Sequence, residues 1–442
     1  MSSDTPHYGH FDVVVVGSGA AGSAAAIAAG RGGADTLLIE KLPFLGGTST
    51  AVLDTFYGIY TPGERPHKVV GGVADDVVAG LRRLGRVVER PNTYGAGTGV
   101  TYMAEHLKVV WERLVSDAGA RILLHAFVQD AVVEDGRLTQ LLVATKAGLR
   151  TVSGDVFVDA SGDADVCHHA GFAYELAGDL EPAQTLTTTF RMTNVDHARR
   201  KSLSKDDLHA LMAKAAETGA YSLARLDGSD HITPIDGVTA TIMTRIEHVV
   251  RDGERVVNAT DPDVLTAAEI EGRRQALEYV RFLVDWVPGY EGASMVALGT
   301  QIGVRETRRV LGDYRLTRDD VLTARQFDDQ IALCGAPIED HHAGTGTSWE
   351  YLPEGTAVGI PYRTLVVNDS SNALVAGRCF SATHDAHASV RSMGQCMAMG
   401  QAAGAAAGLA ARQGGDVRGV VIEHLRDRLR RDGAIVAAEA PV

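Results

Sequence analysis

Two unbroken apolar runs open the chain, FDVVVV at 11–16 and DTLLIE at 35–40. Neither alternates strictly between apolar and polar positions, so each reads as a strand buried on both faces. The stretch between them, GAAGSAAAIAAGRGG, has strong helix formers at its centre and glycines at both ends, where a tight turn and a stop are needed. Together they predict a βαβ unit, and hence a parallel sheet with helices on its faces. Residues 101–118 place Met103, Leu107, Val110, Trp111, Leu114 and Val115 at helical spacing, one apolar face against a charged back. Three β-rich runs follow over 121–165, broken by Asp-Gly and Gly turns, and predict a strand and then a meander. Helices are expected over 264–286, ending at Pro288-Gly289, and over about 393–412, after a strand in SNALVAGRCFS. Between 179 and 363 the βαβ rhythm weakens and Thr, Asp, His and aromatic residues increase. The expected division is therefore 1–178 as the first part of a nucleotide-binding domain, 179–363 as a substrate domain, and 364–442 as a return to the first.

Composition narrows the class of partner. In 442 residues, 45% hydrophobic and 22% charged with a mean hydropathy of -0.02, no run reaches the length of a membrane span. A formal charge of -14 argues against nucleic acid or an anionic membrane as partner, since both attract basic faces. Cys167, Cys334, Cys379 and Cys396 are too few and scattered for a disulfide framework and include no Cys-x-x-Cys pair. The polar opening MSSDTPHYGHFD lacks the basic region and apolar core of a signal peptide, so a cytoplasmic location and a disordered tail are expected. A small-molecule substrate remains, with an electron acceptor and an oligomeric state that the sequence leaves open.

The strongest chemical signal is VVVVGSGAAGSAAA. Gly17 allows a tight turn, Gly19 lets the backbone approach a pyrophosphate, and Gly22 permits close helix-on-strand packing, while the helix N-terminus supplies oriented N–H donors. Glu40 ends the next strand, and a carboxylate there accepts hydrogen bonds from a ribose hydroxyl but repels a 2′-phosphate. A Gly-x-Gly-x-x-Gly turn also arises for packing alone; the strand before, the helix after and the acid at this distance favour a dinucleotide.

Beyond Glu40 the sequence KLPFLGGTST resembles the FAD-dependent oxidoreductases of the glutathione-reductase-type fold. VFVDASGDADVCHHAG (156–171) is similar to that family's Asp-Ala-Thr-Gly-Asp segment, with Ser161 in place of the usual Thr. IGVRETRRVLGDYRLTRDDV (302–321) resembles a helix and turn of the broad FAD-dependent oxidoreductase subgroup, and NALVAGRCFSATHDAHASVRSMGQCMAMGQAAGAAAG resembles its closing flavin segment. The resemblance implies an α/β fold: a Rossmann-like FAD-binding domain with a parallel sheet and β-meander, plus a second α+β substrate domain. It implies FAD as cofactor and places its contacts. Gly17, Ser18, Gly19, Ala20, Ala21 and Gly22 would line the pyrophosphate and Glu40 the adenosine ribose. Lys41, Gly46, Gly47 and Thr48 would lie along the middle of FAD, and the backbone of Val128 at adenine. Ala160, Ser161, Gly162 and Asp163 would approach the adenosine end, and Gly377 and Arg378 the ribityl side. The helix starting near Gly394, with Gln395 and Met397 in its first turns, would aim its positive end at the flavin carbonyl.

Flavin oxidation of a substrate needs a group to handle the accompanying proton, and histidine suits that role near neutral pH. His384 and His387, between a strand exit and the closing helix, read either as hydrogen-bonded core residues or as groups facing the flavin. The subgroup pattern contains His384, His341 and Arg391, which leaves His387 for substrate-specific work. His341 lies in a Gly/Thr-rich loop with His342 and Trp349, and reads as a substrate contact or as part of a solvated loop. Arg363 reads as a carboxylate clamp or an ion-pair partner, and Cys379 and Cys396 as small packing residues. No His-Glu-x-x-His pattern or cysteine cluster marks a metal site. The expected activity is dehydrogenation or oxidation of a small polar molecule, against a monooxygenase, an ene-reductase, or a binding protein that keeps the fold without redox chemistry.

Overall fold

The computed structural model of the protein describes residues 5–53, 55–64, 66–90, 99–253, 255–342 and 344–438. Its main sheet grows from the apolar runs seen in the sequence. His7–Val16, Thr36–Ile39 and Arg121–Leu123 lie parallel and adjacent, and the N-terminal helix Ala20–Arg31 crosses between the first two. On its other side His7–Val16 pairs in parallel with the long strand Gly148–Asp159. That strand has two partners on its far edge. Its first half pairs antiparallel with Arg137–Thr145, which pairs with Phe127–Glu134 as the expected meander. Its last three residues pair in parallel with Ala373–Val375, brought back from the far end of the chain.

The closing helix Met393–Ala411 packs directly on the N-terminal helix. Both are built from Ala and Gly because the two backbones nearly touch: a Cβ added at Gly400 would sit 2.0 Å from the carbonyl oxygen of Ala21, and one at Gly404 2.0 Å from that of Ala25. This small-residue seam runs the two helices parallel, Gly400, Gly404 and Gly408 against Ala21, Ala25 and Ala29, with the closing helix starting about two turns before the other. Residues from Leu316 to Ile360, read from the sequence as part of the middle domain, also contribute to this large core.

A second, separate core lies in the middle of the chain. There Ser229–Ile232, Thr239–Ile242, Phe190–Thr193 and Ser294–Leu298 form an antiparallel sheet, covered by the helix Pro262–Trp286. Asp261 caps that helix, its side chain accepting from the amides of Asp263 and Val264. The helix expected within 302–321 is not formed at its start. Arg308–Val310 is instead a short strand paired with Tyr174–Leu176, followed by loop and the brief helix Arg318–Leu322. The strand sends Arg308 and Arg309 to opposite sides. Among the described residues, no helix is long and apolar enough to cross a membrane.

Candidate active site

The turn after the first strand is held by geometry that only glycine supplies. Gly17 has φ of 88°, and a Cβ there would lie 2.4 Å from the carbonyl oxygen of Ala160. Gly22, inside the helix, packs against the carbonyl of Gly17, where a Cβ would lie 1.7 Å away. At Gly19 the opposite holds: an added Cβ meets nothing within 4 Å, because this backbone faces an open cavity. Glu40 tightens the turn from below. Its carboxylate accepts from the amide of Ser18 at 2.8 Å, from Ser18 Oγ at 2.6 Å and from the amide of Leu42 at 2.8 Å.

The cavity has a volume of about 840 Å3, in the upper part of the usual range for ligand sites. Its wall includes Gly17, Ser18, Gly19, Ala20 and Ala21 from the turn and Glu40, Lys41, Gly47 and Thr48 from the next strand end and loop. Val128, Ala160, Ser161, Gly162, Asp163, Gly377 and Arg378 also line it. Arg378 holds this end together, donating to Asp163 Oδ1 at 2.8 Å and to Thr307 Oγ1 at 3.1 Å. Burial raises the Asp163 pKa, but Arg378 and Lys41 outweigh it and leave the carboxyl below its ordinary value. A cradle of bare backbone at a helix N-terminus, opposite a carboxylate, fits the pyrophosphate and ribose of a dinucleotide.

Other expected contacts sit behind this wall. Gly22 and Gly46 shape the turn without facing the cavity, Gly46 donating its amide to Ser18 O at 2.8 Å. At the closing helix the wall is made by Ser392, Met393 and Cys396, which share one helical face. Gly394, Gln395 and Met397 face elsewhere: the Gly394 amide donates to Tyr57 O at 2.9 Å, Gln395 Nε2 donates to Gly58 O at 2.6 Å, and Met397 is buried. The positive end of this helix is therefore partly spent on the segment Tyr57–Ile59.

The three histidines expected at the chemistry also lie off the cavity wall. His384 and His387 belong to the short helix His384–Val390 and point into a buried carboxylate network. His384 Nδ1 is 2.9 Å from Glu306 Oε2, and its Nε2 is 3.3 Å from Asp340 Oδ1. Burial lowers its pKa, but Asp340 and Glu306 outweigh that and raise it to about 9. His387 donates from Nε2 to Arg378 O at 2.8 Å and is fully buried, which pushes its pKa down to about 3. Among the predicted catalytic residues only Arg391 reaches the wall, and it donates to Glu339 O at 3.2 Å. His341 is buried between Glu339 Oε1 and Thr347 Oγ1, each 3.0 Å away. Burial and the nearby Arg305 lower its pKa to about 3. Arg363 pairs with Asp329 away from the cavity, and all four cysteines are free and buried.

The cavity instead presents groups that no local motif marked. Tyr57 and His231 face it together, with Tyr57 Oη 3.2 Å from His231 Nε2. Tyr57 is fixed by the start of the closing helix, and His231 stands on the edge strand of the middle sheet, so the pair spans the two cores. Arg305, Glu339 and Trp349 complete this end. Arg305 donates to Thr185 O at 2.8 Å and to Thr187 Oγ1 at 2.5 Å.

Over 186 residues, 38% of this chain, the sequence is 28% identical to digeranylgeranylglycerophospholipid reductase 1 of Methanopyrus kandleri, and the match spans 44% of that protein's length. A geranylgeranyl bacteriochlorophyll reductase-like protein of Thermoplasma acidophilum superposes with a TM-score of 0.48 at 13% identity, covering 96% of this chain and 84% of that one. A p-nitrophenol 4-monooxygenase of Pseudomonas putida does so with a TM-score of 0.44 at 12% identity, covering 96% and 84%. The model of the FAD dependent oxidoreductase family matches residues 12–429, nearly the whole chain. With that match, the glycine turn and the cavity it opens on, the chain belongs to the FAD dependent oxidoreductases.

Proposed function

We propose that the protein oxidises a small anionic molecule, as a dehydrogenase or oxidase, in the part of the cavity bounded by Tyr57, His231, Arg305 and Arg391. The observation that carries this reading is that one cavity is lined both by the dinucleotide turn and by a Tyr–His pair with two guanidinium groups, Arg305 and Arg391, whose charge exceeds that of the Glu339 carboxylate beside them. FAD supplies the hydride acceptor when bound there, along the turn, Glu40 and the Lys41–Thr48 loop. The chain's own residues do the rest. A C–H beside a hydroxyl or amine leaves as hydride, and the proton on that oxygen or nitrogen must leave with it. Tyr57 is placed to take that proton and pass it to His231, whose imidazole is the side chain suited to exchange near neutral pH. Arg305 and Arg391 hold the anionic end of the substrate, and Trp349 supplies an apolar wall that excludes water.

The test is anaerobic mixing of the flavin-loaded protein with carboxylate-bearing alcohols and amines. The expected result is bleaching of the flavin absorbance by at least one of them without nicotinamide. Tyr57→Phe should slow that bleaching by roughly 100-fold or more while the flavin content holds. Bleaching only by NAD(P)H would overturn the proposal and point to a monooxygenase or to a reductase, the activity named for the Methanopyrus relative.

A further inference from the structure

We propose that Asp340, His342 and His384 form a binding site for a divalent transition cation of the zinc class, outside the flavin cavity. One ligand atom from each of the three lies within 4.8 Å of the others. His384 Nε2 and Asp340 Oδ1 are 3.3 Å apart, and two ligands about 2.0–2.1 Å from a tetrahedral ion stand roughly 3.3 Å apart. His342 Nδ1 already contacts Asp340 Oδ2. Two imidazoles and one carboxylate are the borderline ligand set that zinc-class ions select, and solvent access beside His342 supplies the remaining coordination position.

The surroundings are those of a supported site. Glu306, fully buried, accepts a hydrogen bond from His384 Nδ1 at 2.9 Å, which aims Nε2 at Asp340. A carboxylate behind a ligating imidazole is the usual orienting partner in metal centres. Gln184 covers one side of the His384–Asp340 pair, its Nε2 donating to Asp340 Oδ1 at 2.9 Å and lying 3.3 Å from His384 Nε2, and its Oε1 accepting from the His341 amide at 2.8 Å, so the ion would enter from the opposite side, toward His342. The cation would take the place of the proton that His384 otherwise holds toward Asp340. His342 alone of the three ligands is open to solvent, with 41% of its side chain exposed, so it gives the ion an entry path.

The placement gives the ion a task. Asp340 ends the strand Ile338–Asp340, which pairs with Ser348–Glu350. Successive residues of a strand face opposite sides. Glu339 and its cross-strand partner Trp349 line the flavin cavity, and Asp340 turns away from it to the two histidines. A cation on Asp340, His342 and His384 would tie this wall of the cavity to the helix His384–Val390.

The experiment is isothermal titration of ZnCl2 into tag-free, flavin-loaded protein previously stripped with chelator, with melting temperature read in parallel. Wild type should bind one equivalent and melt higher with zinc. His342→Ala, at an exposed position, should keep flavin content and the metal-free melting temperature. It should bind roughly 100-fold more weakly, at least the loss that follows removal of an orienting partner. Asp340→Asn should weaken binding similarly. The His168→Ala/His169→Ala double variant removes a neighbouring pair of imidazoles elsewhere on the protein, whose ring centroids are 5.4 Å apart, and should bind zinc as wild type does. Wild type that takes up no zinc, His342→Ala with unchanged affinity, or a loss that follows His168 and His169 would each overturn the site.

Discussion

Three alanine substitutions along one face of the closing helix test whether the seam between the two small-residue helices is set by backbone contact. At Gly404 the new Cβ would lie 2.0 Å from Ala25 O and 2.7 Å from Ala25 C and Cα, so two helix backbones must separate. Overpacking a tight core costs about 1–3 kcal/mol, and backbone neighbours that cannot rotate away put this site near 3. Alanine recovers up to about 1 kcal/mol of helix propensity, leaving a net loss of about 2 kcal/mol. Gly408 lies one turn further on, and its new Cβ would have no neighbour nearer than 3.8 Å. There the propensity gain stands alone, about 0.5–1 kcal/mol in the stabilising direction. Urea unfolding followed by far-ultraviolet circular dichroism should therefore place the Gly404→Ala midpoint below wild type and the Gly408→Ala midpoint at or above it, about 1 M apart for a slope near 3 kcal/mol/M. Gly400→Ala meets Ala21, which lines the cavity, so it should lose bound flavin as well as stability. Equal midpoints for Gly404→Ala and Gly408→Ala would refute the reasoning, since helix propensity alone treats the two alike.

Buried neutral histidines make the fold acid-sensitive. Burial holds His387 and His248 below the ordinary histidine value, so the unfolded chain binds more protons than the native one as pH falls below about 6.5. Stability should drop from pH 6 to 5 by up to about 2.4 kcal/mol for the pair, and a flat urea midpoint over that range would count against it. Arg309, 2% exposed and held by Glu306, Glu175 and Glu181, should be among the costliest side chains to remove. Arg309→Ala leaves the buried Glu306 with His384 as its charged partner and Glu175 and Glu181 with Arg315, and should cost about 3–5 kcal/mol or prevent folding, whereas Arg363→Ala on its exposed pair should cost under 1. Burial raises all four thiols, Cys396 to about 12 and Cys334 to about 11, so none should react with Ellman's reagent in native protein at pH 8, and all four should react in guanidinium.

The parts of the fold that rest on local patterns were legible in the chain itself. Unbroken valines gave the central strands, the Ala/Gly run gave the closing helix to within a residue of Met393–Ala411, and the glycine spacing marked the turn that faces the cavity. Arg308–Val310 was illegible because three residues carry no periodicity, and their pairing partner lies more than 130 positions earlier. The same limit governs the chemistry. His384 and His387, three residues apart, lie close on one side of a helix, but nothing local tells whether that side meets a cavity or a buried glutamate. Tyr57 and His231 carry no motif; a turn fixed by the Gly394 amide and an edge strand of the middle sheet bring them within 3.2 Å across 174 positions.

The seam of small residues also sets a schedule for synthesis. Ala21 and Ala25 are covered by Gly400 and Gly404, with Gly377 also against Ala21, and the strand Gly148–Asp159 completes its edge with Ala373–Val375. A ribosome adding 5–20 residues per second needs roughly 20–75 s to bring the second helix out after the first. For that interval the nascent chain carries a bare, apolar helix face and an open sheet edge, which a chaperone must shield or a neighbouring polysome chain will find.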